Sequence, residues 1–427
     1  MSGVAAPPTC APAMRAPSLP ELVQRFGSPL FVYDGEAVVR RADELRAALP
    51  DFVDVCFAVK ANPSLGILAL LRSRGLGAEV ASAGELAAAR AAGFEAGRIL
   101  YAGPGKRDAE LEAAVAAGVR AIHVESEGEL LRLDAIGRRL GRRVRAGLRA
   151  HVTWSASEER PIIGGGMPTK FGIPPDEIRA RLADWLRLEG VALSGLHVFT
   201  ATNVRDADAW LACAEHTLEL ARELAQAGLR LDWVDVGGGL GVPYAEGETP
   251  LDLARLGSGL TELGRAARAD LAPGLRLVVE PGRYLVAPAG RFLLRVLDRK
   301  SCDGVEFLVT DGGVHQLLRP ALVGQPHPVH AVKGGARERT YRVVGPLCTS
   351  LDSFGDHALP VCEPGDLLAI EHTGAYGFSE SMPAFLSHPV PAEVLLWRGE
   401  AWLLRARREP TRHLEGQAIP APLLDGS

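Results

Sequence analysis

One pattern constrains this chain more than any other: a short apolar run followed by a longer Ala-, Leu- and Arg-rich stretch, repeated eight times. The runs are Val53–Lys60, Ala78–Ala81, Ile99–Gly103, Ala121–Val124, Val144–Arg149, Leu193–Phe199, Leu231–Gly237 and Leu275–Glu280. Each reads as a strand. Amphipathic segments lie between most of them, among them Gly84–Ala92, Asp108–Ala117, Glu127–Arg139 and Ala207–Ala227. In the last, Leu211, Ala214, Leu218, Ala221 and Ala225 recur at steps of three and four, the spacing of one helix face. Eight strand–helix units predict an α/β fold built on a parallel (β/α)8 barrel. The stretch from Glu36 to Glu280 also matches the roughly 250 residues that such a barrel usually needs.

After Pro281 the helical spacing fades. Short runs at Gly290–Leu297, Glu306–Thr310, Tyr341–Val344, Leu367–Ile370, Ala392–Trp397 and Ala401–Arg405 follow one another, with Gly, Pro and Asp between them. They predict a C-terminal, mainly antiparallel β domain, which Leu30–Tyr33 joins as an extra strand. The expected organisation is a flexible tail over 1–20, a barrel over 36–285, and a β domain made of 21–35 plus 286–420. The longest connection, Val152 to Leu193, carries Gly164-Gly165-Gly166 and is expected to hold a mobile loop.

Composition narrows the function classes. Of 427 residues, 47% are hydrophobic and 23% charged, the balance of a globular protein able to bury a full core. The net charge of -5 comes without a basic block, which argues against nucleic acid as a partner. Six scattered cysteines with no CxxC pair read as reduced thiols of a cytoplasmic protein; no metal site is expected. The first 20 residues lack the apolar core of a secretory signal. No apolar run is long enough for a membrane span, so no membrane partner is expected.

Barrels of this kind place chemistry at the C-terminal ends of their strands. Polar and glycine residues gather there. Lys60 closes Val55-Cys56-Phe57-Ala58-Val59, where lost solvation favours a neutral amine and imine formation; taken alone, it could equally be a surface lysine. Gly237-Gly238-Gly239 follows an apolar strand and would let backbone N–H groups approach a phosphate, or simply make a turn. Glu280-Pro281-Gly282-Arg283 offers a carboxylate and a guanidinium around a rigid turn, suited to a charged heterocycle or to a plain surface ion pair. His197 and Cys348, each alone, default to core residues.

In this order the pieces resemble the alanine-racemase-fold (fold type III) decarboxylases that use pyridoxal phosphate, a family that includes diaminopimelate, ornithine and arginine decarboxylases. The matching stretches are Phe57-Ala58-Val59-Lys60-Ala61-Asn62-Pro63, Ala78-Glu79-Val80-Ala81-Ser82-Ala83-Gly84-Glu85-Leu86, Val236-Gly237-Gly238-Gly239, Glu280-Pro281-Gly282-Arg283, Gly345-Pro346-Leu347-Cys348 and Gly374-Ala375-Tyr376. The resemblance implies that Lys60 carries the cofactor, that His197 stacks on its ring and that Glu280 pairs with the pyridinium nitrogen. It places Glu79 at the cofactor, and Thr200, Gly238, Gly239, Gly282, Arg283 and Tyr376 at or beside its phosphate. Cys348 is implied as a proton donor supplied by a second subunit, and the protein as a homodimer with shared sites.

Glu280 argues for decarboxylation over racemisation. A carboxylate keeps the pyridinium protonated and the electron sink strong, whereas the racemases of this fold have an arginine there. A non-catalytic relative is disfavoured, because lysine, phosphate site and cysteine are all present. Against diaminopimelate decarboxylases, which usually read Cys-Glu-Ser, this chain has Cys348-Thr349-Ser350; Arg319 is kept. Gly345–Asp352 and Gly374–Pro389 are similar to a biosynthetic-cluster branch that includes a carrier-protein glutamyl decarboxylase and the exosortase-associated decarboxylases. The expected substrate, free or carrier-bound, therefore has a distal carboxylate or carbonyl, with Arg319, Thr349 and Asp352 as substrate-binding candidates.

Overall fold

The computed structural model describes residues 12–15, 17–154 and 169–423. Eight parallel strands close a barrel: β1 Val53–Ala58, β2 Gly77–Val80, β3 Ile99–Tyr101, β4 Ala121–Val124, β5 Val144–Ala150, β6 Val191–Val198, β7 Trp233–Asp235 and β8 Arg276–Val279. The last strand returns to the first, with Leu277 opposite Val53. Helices Ala83–Ala91, Asp108–Ala117, Glu127–Arg139 and Ala207–Gln226 fall where helical spacing is found in the sequence. Their starts are chemically set. Ser82, Ser126 and Asp206 each accept a first-turn backbone N–H, satisfying donors that a helix leaves open.

The barrel interior is filled from the strands themselves. Cys56, Leu100, Ala121, Trp233 and Val278 form one buried cluster. Trp233 is accommodated because strands β5 and β6 carry glycine beside it. A Cβ on Gly195 would lie 2.1 Å from the indole, and one on Gly147 would lie 3.2 Å away. Close packing of this kind leaves no room for a larger residue at either position.

Contact clustering separates two compact units. The first comprises Asp34–Gly290 with Gly374–Ser379; the second holds the described residues from 12 to 33, 291–373 and 380–423. The second unit is built on a mostly antiparallel sheet. Gly290–Cys302 pairs with Val305–Thr310 and with Leu367–Glu371, and Ala392–Trp397 pairs with Glu400–Arg405. One pairing is parallel, Val305–Thr310 against Arg339–Val344. Leu30–Asp34 lies between Ala392–Trp397 and Gly290–Cys302 in the same sheet. Its core gathers Leu22, Val23, Leu30, Val32, Leu293 and Val394.

The stretch expected to be a flexible tail is partly ordered. Pro12–Arg15 pairs antiparallel with Glu400–Arg405, and a helix over Leu19–Phe26 is capped by Ser18, whose hydroxyl and backbone N–H both bond the Glu21 carboxylate. A tail composition of Ala and Pro hid a strand whose stability comes from its partner edge. The Gly164–Gly166 loop lies outside the described residues. Among the described residues, no helix is long and apolar enough to cross a membrane.

Candidate active site

Interior positions of a barrel recur at every second residue of a strand. Two residues beyond Ala121, Gly195, Trp233 and Val278 stand His123, His197, Asp235 and Glu280. The apolar layer is thus followed, toward the C-terminal ends, by a polar one. All four side chains are buried, and one donor atom from each lies within 4.8 Å of the others. The two imidazoles sit 4.4 Å apart with 32° between their planes. His197 Nε2 is 3.5 Å from Glu280 Oε2, and His123 Nε2 is 3.9 Å from Asp235 Oδ2. Among the described residues, the ring nitrogens of both histidines, Asp235 Oδ2 and Glu280 Oε1 have no hydrogen-bond partner. Such donors could hold a cation or the polar edge of an organic cofactor.

The electrostatics split the two carboxylates. Burial pushes Asp235 well above the ordinary range, and the adjacent charge of Glu280 pushes it further. Burial acts on Glu280 in the same sense, but His197 first and then Lys60 outweigh it and hold Glu280 below the usual range. His123 is driven well below its ordinary value by burial and then by His197. Glu280 is thus driven toward its charged form, and Asp235 and His123 toward their neutral forms.

Lys60 lies just past β1, on the single turn Val59–Ala61. Its Nζ is 2.5 Å from Glu79 Oε2; the lysine side chain is 32% exposed and the glutamate 2%. The neutral amine expected from burial is not what this geometry supports. Burial does oppose the charge, but Glu79, followed by Glu280, outweighs it and raises the ammonium above its ordinary value. Glu79 itself is pushed up by burial, against the pull of Lys60, to about 7. The segment Gly374–Ser379 is fastened to the same turn: the Tyr376 N–H donates to Ala61 O at 2.8 Å, and Asn62 Nδ2 donates to Gly374 O at 2.9 Å.

The glycines behave as close-approach positions. Gly237 and Gly239 have φ of 75° and 85°, in the left-handed region where a side chain is strained. A Cβ on Gly238 would lie 2.2 Å from Glu280 O, and one on Gly239 would lie 2.4 Å from Ala201 O. Thr200, which is buried, leads into that Ala201 loop, and the Val204 N–H closes it by donating to Gly239 O. On Gly282 an added Cβ would meet Ala61 at 2.9 Å and Tyr376 Oη at 3.4 Å. Arg283 is buried, donates to Tyr244 Oη at 2.8 Å, and lies 4.9 Å from the Tyr376 ring centre. The loops after β6, β7 and β8 and the Tyr376 segment therefore converge.

The second unit holds the remaining candidates. Arg319 is buried at the start of a short helix, Arg319–Val323, with Nη2 3.5 Å from Gln325 Oε1. Asp352 takes a structural part. Its Oδ1 accepts the Val314 N–H and its Oδ2 the Leu347 N–H, each at 2.7 Å, clamping two loops. Thr349 is half-buried, and its hydroxyl accepts the Leu351 N–H at 3.3 Å. Cys348, expected alone to be a small buried hydrophobe, is exposed.

Sequence reasoning missed His123, Tyr244 and Asn62. A lone histidine in an apolar run resembles a core residue until the two-residue step from Ala121 is counted in parallel with the other strands. The ion pair gives a direct test. In cofactor-free protein, the pH at which an amine-selective reagent labels Lys60 should fall in Glu79→Gln, because burial then acts on the lysine with its strongest charged partner removed. An unchanged labelling profile would show that Glu79 does not hold the ammonium.

Residues 36–287 match the family model described as pyridoxal-dependent decarboxylase, pyridoxal binding domain. The L-glutamyl-[BtrI acyl-carrier protein] decarboxylase of Niallia circulans is 33% identical over 397 residues, covering 90% of this chain and 92% of that protein. The diaminopimelate decarboxylase of Aquifex aeolicus is 32% identical, covering 91% of each. Among solved structures, diaminopimelate decarboxylase from Helicobacter pylori complexed with L-lysine superposes with a TM-score of 0.86 at 29% identity, covering 96% of this chain and 100% of that one. The residues fit pyridoxal phosphate. A buried carboxylate oxygen of Glu280 has no hydrogen-bond partner among the described residues, and Gly238, Gly239 and Gly282 stand where any Cβ would collide with a neighbouring strand end or loop, so the backbone itself lines this end of the barrel. The chain belongs to the pyridoxal-dependent decarboxylases, a fold type III family, and is a pyridoxal-phosphate-dependent amino-acid decarboxylase.

Proposed function

We propose that the protein removes the α-carboxylate from an amino acid, free or carrier-bound, whose distal end bears a carboxylate or carbonyl. The observation that carries the site assignment is the buried Glu280 carboxylate, with one oxygen lacking a partner among the described residues and His197 3.5 Å from the other. When bound, pyridoxal phosphate supplies the ring that accepts the electron pair left as carbon dioxide departs. Lys60, His197, Glu79 and Glu280 would hold its reactive part, with Thr200, Gly238, Gly239, Gly282, Arg283 and Tyr376 around its phosphate. Glu79, 2.5 Å from Lys60 Nζ, would hold the lysine amine in place beside the cofactor.

Carried over from the family resemblance, Cys348 of a second copy returns a proton to Cα. Cys348 is exposed, so its thiol is accessible to such a copy. Arg319 is the proposed partner of the distal group. A buried guanidinium is best matched by a carboxylate, and Thr349 supplies no acid for a distal ammonium. The relative named L-glutamyl-[BtrI acyl-carrier protein] decarboxylase acts on a carrier-bound glutamyl group. The many diaminopimelate decarboxylases among the relatives keep that amino acid as the second candidate, because it also offers a distal carboxylate.

Borohydride treatment of cofactor-loaded protein should leave a stable pyridoxyl group on the peptide containing Lys60. Modification of another lysine would refute the assignment. Arg319→Met should raise KM for the true substrate about tenfold or more, the loss of one charge-assisted contact, with cofactor affinity unchanged. Unchanged kinetics, or lysine or ornithine as the best substrate, would end the distal-carboxylate reading.

A further inference from the structure

Four polar side chains fill a barrel layer that could have been apolar, and only two of them are needed to face a cofactor. Asp235 and His123 remain unexplained by the proposed function. They are not incidental to the packing. Asp235 is the strand neighbour of both sides of the pair: it registers with His197 on β6 and with Val278, two residues before Glu280, on β8. His123 stacks against His197 at 4.4 Å and reaches Asp235 Oδ2 at 3.9 Å. A phenylalanine–leucine pair would have filled the same space without leaving buried polar atoms unsatisfied, which is costly.

We propose that Asp235 and His123 are positioning residues for the His197–Glu280 pair: Asp235 carries a proton, His123 stays neutral behind the His197 ring, and Glu280 is left as the one charged carboxylate of the layer. The inference rests on the reading that Glu280 faces the cofactor. The groups around Asp235 are Glu280, His197, His123, Cys56 on β1 and Glu79 on β2. Among the described residues, no lysine or arginine lies within ion-pair distance of it. Its Oδ1 is engaged by the Gly237 N–H at 2.9 Å, which also ties the carboxyl to the glycine loop. Two adjacent buried carboxylates cannot both ionise cheaply, and His197 and the Lys60 ammonium both act on Glu280. A neutral Asp235 contributes an O–H donor to a set whose carboxylates otherwise only accept, and its proton prevents a second negative charge from competing with Glu280.

The test is infrared spectroscopy of the cofactor-loaded protein at about pH 9, where Glu79, at about 7, is ionised. The carbonyl band of a neutral carboxylic acid should be present in the wild type and absent in Asp235→Asn. No band in the wild type overturns the inference and leaves the proposed function standing. A band that survives Asp235→Asn also overturns it; if that band then disappears in Glu280→Gln, the neutral acid is Glu280 and the proposed function fails with it. The positioning role is read separately. Asp235→Asn, which mimics the protonated acid, and His123→Phe, which keeps the ring, should retain wild-type cofactor affinity and the pH profile of cofactor absorbance. Asp235→Ala and His123→Ala should weaken cofactor binding about tenfold or more, on the scale of one lost buried hydrogen bond. Equal behaviour of the conservative and the alanine variants would show that neither residue positions anything.

Discussion

A carboxylate kept charged inside a closed barrel is the constraint around which the rest is arranged. Burying an ion without compensation is prohibitively costly, so Glu280 needs its neighbours: His197 at 3.5 Å, the ammonium of Lys60 further off, and a second acid that does not ionise. The barrel makes this possible because its strands deliver side chains to the interior in layers. The Trp233 layer seals one side, and the polar layer two residues on opens toward the loops. Remove the seal and water would screen the charges; remove the charges and the carboxylate would take up a proton.

The loops after β6, β7 and β8 follow from the same arrangement. Their glycines let the loop backbones pack against one another. Backbone atoms of Ala201 and Glu280 stand where side chains at 239 and 238 would have to go. Arg283 then adds a fixed charge held by Tyr244 and flanked by Tyr376. Lys60 and Tyr376, far apart in sequence, come together because the segment Gly374–Ser379 returns to the Lys60 turn through one backbone hydrogen bond and one donated by the Asn62 side chain.

Much of this was legible in the chain. The eight apolar runs coincide with the barrel strands, and Glu280-Pro281-Gly282-Arg283 fell at a strand end, where chemistry is expected. What stayed hidden depended on neighbours that no linear pattern reveals. The position of Lys60 could be read, but its protonation could not, because Glu79 comes from the next strand. Asp352 could be picked out as a candidate, but not that its two oxygens accept the Val314 and Leu347 N–H groups of separate loops. The strand Ser353–Leu359 was missed because its alternating exposure brings in Gly, Asp and His, which break a strand-like run. Pro12–Arg15 is a strand only by virtue of the edge it pairs with.

The second unit carries the buried Arg319 and the half-buried Thr349, while the first carries Lys60, His197 and Glu280. The central claim concerns the first. It is tested most directly by measuring cofactor content and carbon dioxide release in Glu280→Gln. The account predicts that the variant keeps pyridoxal phosphate but loses about 10²–10³ in turnover, the scale of removing one preorganised electrostatic partner. Near-normal turnover with full cofactor content would contradict it.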